Sequence, residues 1–170
     1  TKVIQRSRDV SKRLNKGIEV LMKKNSITYL QGRGAIVDKN IVSIKNNKGN
    51  KSNIACKNII ISTGAHSKCF KGLKPDGKNI ITSKEAMVLD KQPKSIIIVG
   101  GGAIGVEFAH FYSSFGTEVV IVESMKNLLP IEDQDISKEL ERLFKKRKIK
   151  VLTNTFVEKI TKLKTKCKVM

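Results

Sequence analysis

Between Ser95 and Ala109 the sequence reads SIIIVGGGAIGVEFA: a short β-branched run, three glycines, then an apolar pattern at helical spacing. Few local patterns restrict a fold so tightly. Ile96 to Val99 has no polar alternation, which predicts a strand buried on both faces, as in a parallel sheet. Ile104, Phe108, Phe111 and Phe115 recur at helical intervals and predict one buried helix face, with Gly116 as its stop. Gly100, Gly102 and Gly105 make G-x-G-x-x-G at the junction. Gly100 permits the tight turn out of the strand, Gly102 a close backbone approach to a pyrophosphate, and Gly105 close packing of helix on strand. The helix start would offer free N–H groups and the positive end of its dipole. Gly100, Gly101, Gly102, Ala103, Ile104, Gly105 and Val106 are therefore candidate phosphate-binding residues.

Glu123 closes the next apolar run, GTEVVIVE, 21 residues after Gly102. A carboxylate there accepts both hydroxyls of an adenine ribose and repels a 2′-phosphate, favouring NAD over NADP. The glycines alone leave NAD and FAD open, and they also fit a turn needed only for packing. Glu107 lies in what the sequence predicts to be the first helical turn. It either complements the helix dipole or faces a cofactor.

Strands are predicted at 96–99, 119–122 and 150–152, and at 156–163, with helices over 104–115 and 136–144. Strand, helix, strand, helix, strand across 96–152 is a right-handed α/β unit with a parallel sheet. Upstream, Val10, Leu14, Ile18, Leu21 and Met22 predict a helix over 9–24, basic on its other face and ended by Asn25. Ile27–Leu30, Ala35–Val37, Ile41–Ile44 and Ile54–Cys56 are expected strands, with a turn at 46–50. Ile59–Ile61 is expected to be a strand buried on both faces. His66 to Asn79 is an expected connection. Thr82 and Glu85 form a capping box before a short helix over 86–89.

Net charge is +19, which suits a nucleic-acid binder in total. The lysines, however, run from Lys2 to Lys168 without interleaved aromatics, so a solvated cationic surface is expected and no nucleic-acid partner. No apolar run is long enough to span a membrane. Cys56, Cys69 and Cys167 form no close pair, so neither a zinc site nor a disulfide framework is expected. Glu132, Asp133 and Asp135 fit either a metal or, more simply, negative charge at a helix start. His66 and His110 match no catalytic pattern.

Together GRGAIVD, IIISTGA, IVGGGAIGVEFA, GTEVVIVE and LPIEDQDISKEL resemble, in order and spacing, the middle of the dihydrolipoamide dehydrogenases, within the pyridine nucleotide-disulfide flavoenzymes. The resemblance runs from Arg6 to Met170. It implies an FAD/NAD(P)-binding, Rossmann-like α/β fold: the second part of an FAD domain over 1–92, followed by most of an NAD domain over 93–170. Gly34 would lie against the FAD adenosine, though by itself it fits a bulge or turn. Thr63, Gly64 and Ala65 would contact FAD through their backbone, though alone they fit a plain strand exit. Gly100 to Glu107 would hold the NAD pyrophosphate, with Glu107 toward the nicotinamide. Glu123 would take the adenosine ribose, and the Val157 backbone would face the adenine. Gly105 and Glu123 resemble the NAD-using branch; the NADP-using branch has Ala at the first place and basic residues after the second strand. Ser62 and Ala65 depart from the family's usual Ala and Ser.

The family's redox C-x4-C pair and first FAD glycine motif would lie upstream, and its second FAD motif, dimerisation domain and His–Glu acid/base pair downstream. No catalytic residue is therefore expected in this chain. The implied parent is a homodimer in a bacterial cytoplasm, with the mitochondrial matrix as the other option. It would oxidise dihydrolipoamide on the lipoyl domains of 2-oxoacid dehydrogenase complexes. A mercuric reductase, an NADH peroxidase or a stand-alone nucleotide-binding module are the alternatives.

Overall fold

The structure, a computed structural model, describes residues 2–69, 73–164 and 166–170. Residues 70–72 of the expected connection lie outside the described residues. The chain forms two compact units, Lys2–His66 and Ser67–Met170.

The first unit opens with α1 (Lys2–Lys24), longer than expected at its start and with no buried residue. Asn25 ends it: its side chain donates to the Leu21 carbonyl at 2.8 Å, and Ser26 takes a left-handed φ of 54°. Then β1 (Arg33–Asp38), β2 (Ile41–Lys45) and β3 (Lys51–Ala55) form an antiparallel meander. Gly34 sits opposite Ile44, and Val42 opposite Ile54. The turn at 46–50 is tied by the Asn46 side chain, which accepts from the Lys48 and Asn50 N–H groups at 3.0 Å each. Gly32 passes within contact of the Lys45 carbonyl, where a Cβ would lie 2.7 Å from that oxygen.

Two expected strands of this unit are not formed. Ile27–Leu30 carries no ladder and is exposed. Ile59–Ile61 is likewise unpaired, with Ile60 89% and Ile61 70% exposed. An apolar run becomes a buried strand only when neighbours pair on both sides, and no described strand pairs with this one.

The second unit holds a parallel sheet of β4 (Ser95–Val99), β5 (Glu118–Val122) and β6 (Lys150–Leu152), in the order β4-β5-β6. Ile98 is in register with Ile121, and Ile121 with Val151. The crossovers contain α3 (Ala103–Ser114) and α4 (Gln134–Lys146). The core is Val106, Ala109 and Tyr112 of α3, with Val119, Ile121, Leu128, Phe144 and Ile149. Each such large apolar side chain contributes roughly 1.5–3 kcal/mol by leaving water.

The buried faces differ from those the spacing predicts. On α3, Ile104 and Phe115 are exposed, while Phe108 and Phe111 are only half-buried. On α4 the buried stripe runs through Ser137 and Phe144, and Ile136 and Leu143 are exposed. The buried α3 face instead runs through Val106, Ala109 and Tyr112, with Ala109 fully buried where the helix lies close on the sheet. The expected strand at 156–163 shortens to β7 (Ile160–Lys162), which pairs antiparallel with an unforeseen β8 (Cys167–Val169).

The Thr82–Glu85 capping box is present and starts α2 (Ser83–Ala86), earlier than 86–89. Ala86 joins the core, and the Tyr112 hydroxyl donates to its carbonyl at 2.7 Å. Asp76 is a second tie. One carboxylate oxygen accepts from the N–H groups of Lys78, Asn79 and Ile80, and the other pairs with Lys162 on β7. The Lys162 ammonium, helped by the Ile80 and Lys78 N–H groups, holds this carboxyl well below the usual carboxylate range. Asp76→Ala is expected to release β7 from segment 76–80. Hydrogen exchange at the Leu163 N–H, which bonds the Lys166 carbonyl in this hairpin, should then accelerate. Unchanged exchange there would show that the pair does not restrain the hairpin.

Candidate dinucleotide-binding site

At the end of β4 the chain turns through Gly100, whose φ of 112° favours glycine. Its N–H donates to the Val122 carbonyl at 2.9 Å, extending the β4–β5 pairing to the lip of the site. Gly102 is the N-cap of α3 and has no side chain to cap the helix. The first intrahelical bond runs from the Val106 N–H to the Gly102 carbonyl, at 3.1 Å. The N–H groups of Ala103, Ile104 and Gly105 therefore precede the ladder, at the positive end of the dipole. Gly102 faces open space, with nothing within 4 Å of where a Cβ would stand. Gly105 is different: a Cβ there would overlap the Gly100 carbonyl oxygen. Hydrogen at position 105 lets α3 lie against the end of β4.

Glu123, at the end of β5, is buried, and its carboxylate is organised by the chain itself. Oε2 accepts from the Gly101 N–H at 2.6 Å. Oε1 accepts from the Met125 N–H at 2.7 Å and the Ser124 hydroxyl at 3.1 Å. Desolvation pushes its pKa up, but the Met125 and Gly101 N–H bonds, with the Ser124 contacts, outweigh it and leave the pKa lowered. The group is thus anionic at neutral pH. Oε2 has a lone pair beyond the one facing Gly101, available to a hydroxyl donor.

Gly100 to Val106 and Glu123 are thereby brought together at the carboxyl ends of parallel strands, where open α/β sheets bind ligands. Glu107 lies beyond the first turn of α3, contrary to expectation, and is exposed. A dipole role is weaker at that depth. Val157 lies in irregular chain. Just before it, the N–H groups of Asn154 and Thr155 bond the carbonyls of Met125 and Glu123 at 2.9 and 3.0 Å, which carries this segment alongside the carboxylate.

The residues expected to face FAD belong to the first unit. Gly34 is on β1. Thr63, Gly64 and Ala65 are exposed irregular chain, with Gly64 at φ 80° and open space around it. Of the acidic cluster, Asp133 caps α4 by accepting from the Asp135 N–H at 2.8 Å, and Asp135 pairs with Lys138 at 3.0 Å. These are helix-start roles. Cys56, Cys69 and Cys167 are all free thiols.

Sequence reasoning missed the support behind the glycine turn. Leu128 is fully buried, the Leu129 N–H donates to the Gly101 carbonyl at 2.9 Å, and Glu141 of α4 accepts from the Leu128 N–H at 3.2 Å. Only the spacing Ser137, Glu141, Phe144 along one helix face could have signalled the last of these.

Comparison with known proteins agrees with this geometry. The family model described as pyridine nucleotide-disulphide oxidoreductase matches residues 1–170. A dihydrolipoyl dehydrogenase of Chlorobaculum parvum is 43% identical over 148 residues, covering 87% of this chain and 32% of that protein. One from Zymomonas mobilis is 38% identical over 160 residues, covering 94% and 34%. The crystal structure of LpdA from Mycobacterium tuberculosis superposes with a TM-score of 0.91 at 25% identity, over 99% of this chain and 38% of that one. The chain thus spans about a third of the length of the curated relatives it matches.

Proposed function

The chain belongs to the pyridine nucleotide-disulphide oxidoreductase family, and from that premise we propose that it forms the NAD half-site and one wall of the FAD site of a dihydrolipoyl dehydrogenase. Residues 1–92 would contribute to the FAD domain and 93–170 to the NAD domain. The observation that carries this reading is the pairing of two features across the glycine turn. The start of α3 is uncapped and open, and the buried Glu123 carboxylate is held in place by the Gly101 N–H 2.6 Å away.

These residues fit NAD. The N–H groups of Ala103, Ile104 and Gly105 bind and orient a pyrophosphate. Glu123 accepts from ribose hydroxyls and repels a 2′-phosphate. The Val157 backbone would face the adenine, and Glu107 would lie toward the nicotinamide end. They fit FAD more thinly, through the open backbone of Thr63–Ala65 and through Gly34. Flavin and nicotinamide supply the hydride chemistry when bound; the protein holds and orients them. The redox disulfide would belong to another part of the parent, because the three cysteines of this chain form no C-x4-C pair, and the resemblance implies the same for the acid/base pair. We place the parent, a homodimer acting on dihydrolipoamide carried by 2-oxoacid dehydrogenase complexes, in a bacterial cytoplasm. The bacterial origin of these relatives supports that assignment. Among the described residues no helix is long and apolar enough to cross a membrane.

Titration of the 170-residue chain with NADH, followed by nicotinamide fluorescence, is expected to saturate, and NADPH is expected to bind far more weakly. The chain alone should not turn over dihydrolipoamide. Equal binding of both nucleotides, or of neither by the folded chain, would remove the NAD half-site reading.

A further inference from the structure

Gly101 is held through both of its backbone groups. Its N–H faces the Glu123 carboxylate at 2.6 Å, and its carbonyl accepts from the Leu129 N–H at 2.9 Å. Leu128 packs directly beneath it: a Cβ on Gly101 would lie 2.5 Å from the Leu128 Cδ2. The segment making this grip is strained. Leu129 has a φ of 48°, a left-handed conformation that a leucine adopts only when its surroundings impose it. Contacts from outside the loop hold 128–129 in place: Leu128 is fully buried in the core and Leu129 packs against it. Among the described hydrogen bonds, one does so from α4: the Leu128 N–H donates to Glu141 Oε1 at 3.2 Å. Glu141 is half-buried on the same helix face as Ser137 and Phe144, so its own position is fixed by the packing of α4.

We propose that Glu141 is a positioning residue for the dinucleotide site. By accepting from Leu128 it keeps 128–129 in the strained conformation that fixes the Gly101 carbonyl and, through the Gly101 backbone, the N–H that faces the Glu123 carboxylate. The proposal rests on the NAD half-site reading. It goes beyond the glycine motif and the ribose acid, since Glu141 touches neither and acts through two residues of the intervening loop. A neutral acceptor serves the same purpose, because the bond requires a lone pair facing an N–H and no charge. Glutamine should therefore substitute and alanine should not.

The test compares the full chain with Glu141→Ala and Glu141→Gln. Amide exchange and chemical shifts are read by NMR, and NADH affinity by fluorescence. In Glu141→Ala, exchange at Leu128 and Leu129 should rise roughly five- to tenfold, as expected for one lost hydrogen bond. The Gly101 amide should shift, and the NADH Kd should rise roughly fivefold, with helical circular dichroism retained. Glu141→Gln should restore most of each. Unchanged Leu129 and Gly101 amides in the alanine variant would overturn the proposal. So would a glutamine variant that behaves like alanine, or loosened amides with an unchanged NADH Kd. If the unsubstituted chain does not bind NADH, the half-site reading fails. The apo amides still report separately whether Glu141 holds Gly101.

Discussion

Gly105→Val is expected to be among the most damaging single substitutions in the second unit. The conflict is steric: a Cβ at 105 overlaps the Gly100 carbonyl oxygen, and next meets the Gly100 carbonyl carbon at 3.1 Å and the Ile98 Cγ2 at 3.4 Å. The first two are backbone atoms of the turn itself, so no rotamer change relieves the overlap. Either α3 moves off β4 or the turn opens. Moving α3 draws Val106, Ala109 and Tyr112 away from Val119 and Ile121, and pulls on the bond from the Tyr112 hydroxyl to Ala86. Overpacking of this kind costs about 3 kcal/mol or more when the neighbours cannot yield. Urea unfolding followed by circular dichroism should show that loss, with NADH binding abolished in the same variant. Gly105→Ala puts the same Cβ against the same carbonyl oxygen and is expected to share most of this loss, with the two further methyls of valine adding to it. A valine variant as stable as the unsubstituted chain would mean that α3 does not pack on β4 as described.

The parts of this structure that were legible in the sequence are those fixed by short-range chemistry. Gly100, Gly102 and Gly105 follow a β-branched run and open a helix, and the structure places the first two in the turn and Gly105 in the first turn of α3. Thr82 and Glu85 announce their capping box, and Gly116 ends α3 at φ 86°. What was not legible depends on neighbours. Apolar residues surround α3, so periodicity pointed to Ile104 and Phe115, whereas close approach to the sheet selected Val106 and Ala109. Ile59–Ile61 has the composition of a buried strand but no strand to pair with among the described residues. Glu141 carries no motif, since its role follows from the path of residues 124–129 back over the glycine turn. The Glu123–Gly101 contact lies between these cases. The spacing marks the acid, and only the fold reveals that the chain already uses three of its lone pairs.

Glu123→Ala is expected to lower both stability and NADH affinity, and acid titration separates its parts. Removing the carboxylate leaves the buried Gly101 N–H without its acceptor, whereas the N–H of the exposed Met125 can turn to water. At about 1–3 kcal/mol for a buried unsatisfied donor, the variant should lose roughly that amount. The ribose hydroxyls lose a charge-assisted acceptor as well, which should raise the NADH Kd by at least about tenfold. It should also narrow the preference over NADPH, because the repulsion of a 2′-phosphate disappears. The pH dependence has a definite sign. The folded pKa lies below the ordinary value of 4.5, so the carboxylate stabilises the fold above that value. This contribution is lost as pH falls from about 4.5 through the lowered folded pKa. Asp76, Glu85 and Glu139 are shifted in the same direction, so the unsubstituted chain reports all four together. Glu123→Gln removes one titration while keeping an acceptor oxygen. The difference between its stability–pH curve and that of the unsubstituted chain therefore isolates Glu123. That difference should be constant above pH 5 and shrink as the solution is acidified. A difference that stays constant from pH 6 to pH 3 would mean that the buried carboxylate is not held ionised by Gly101 and Met125, and its assignment as the ribose acceptor would lose its physical basis.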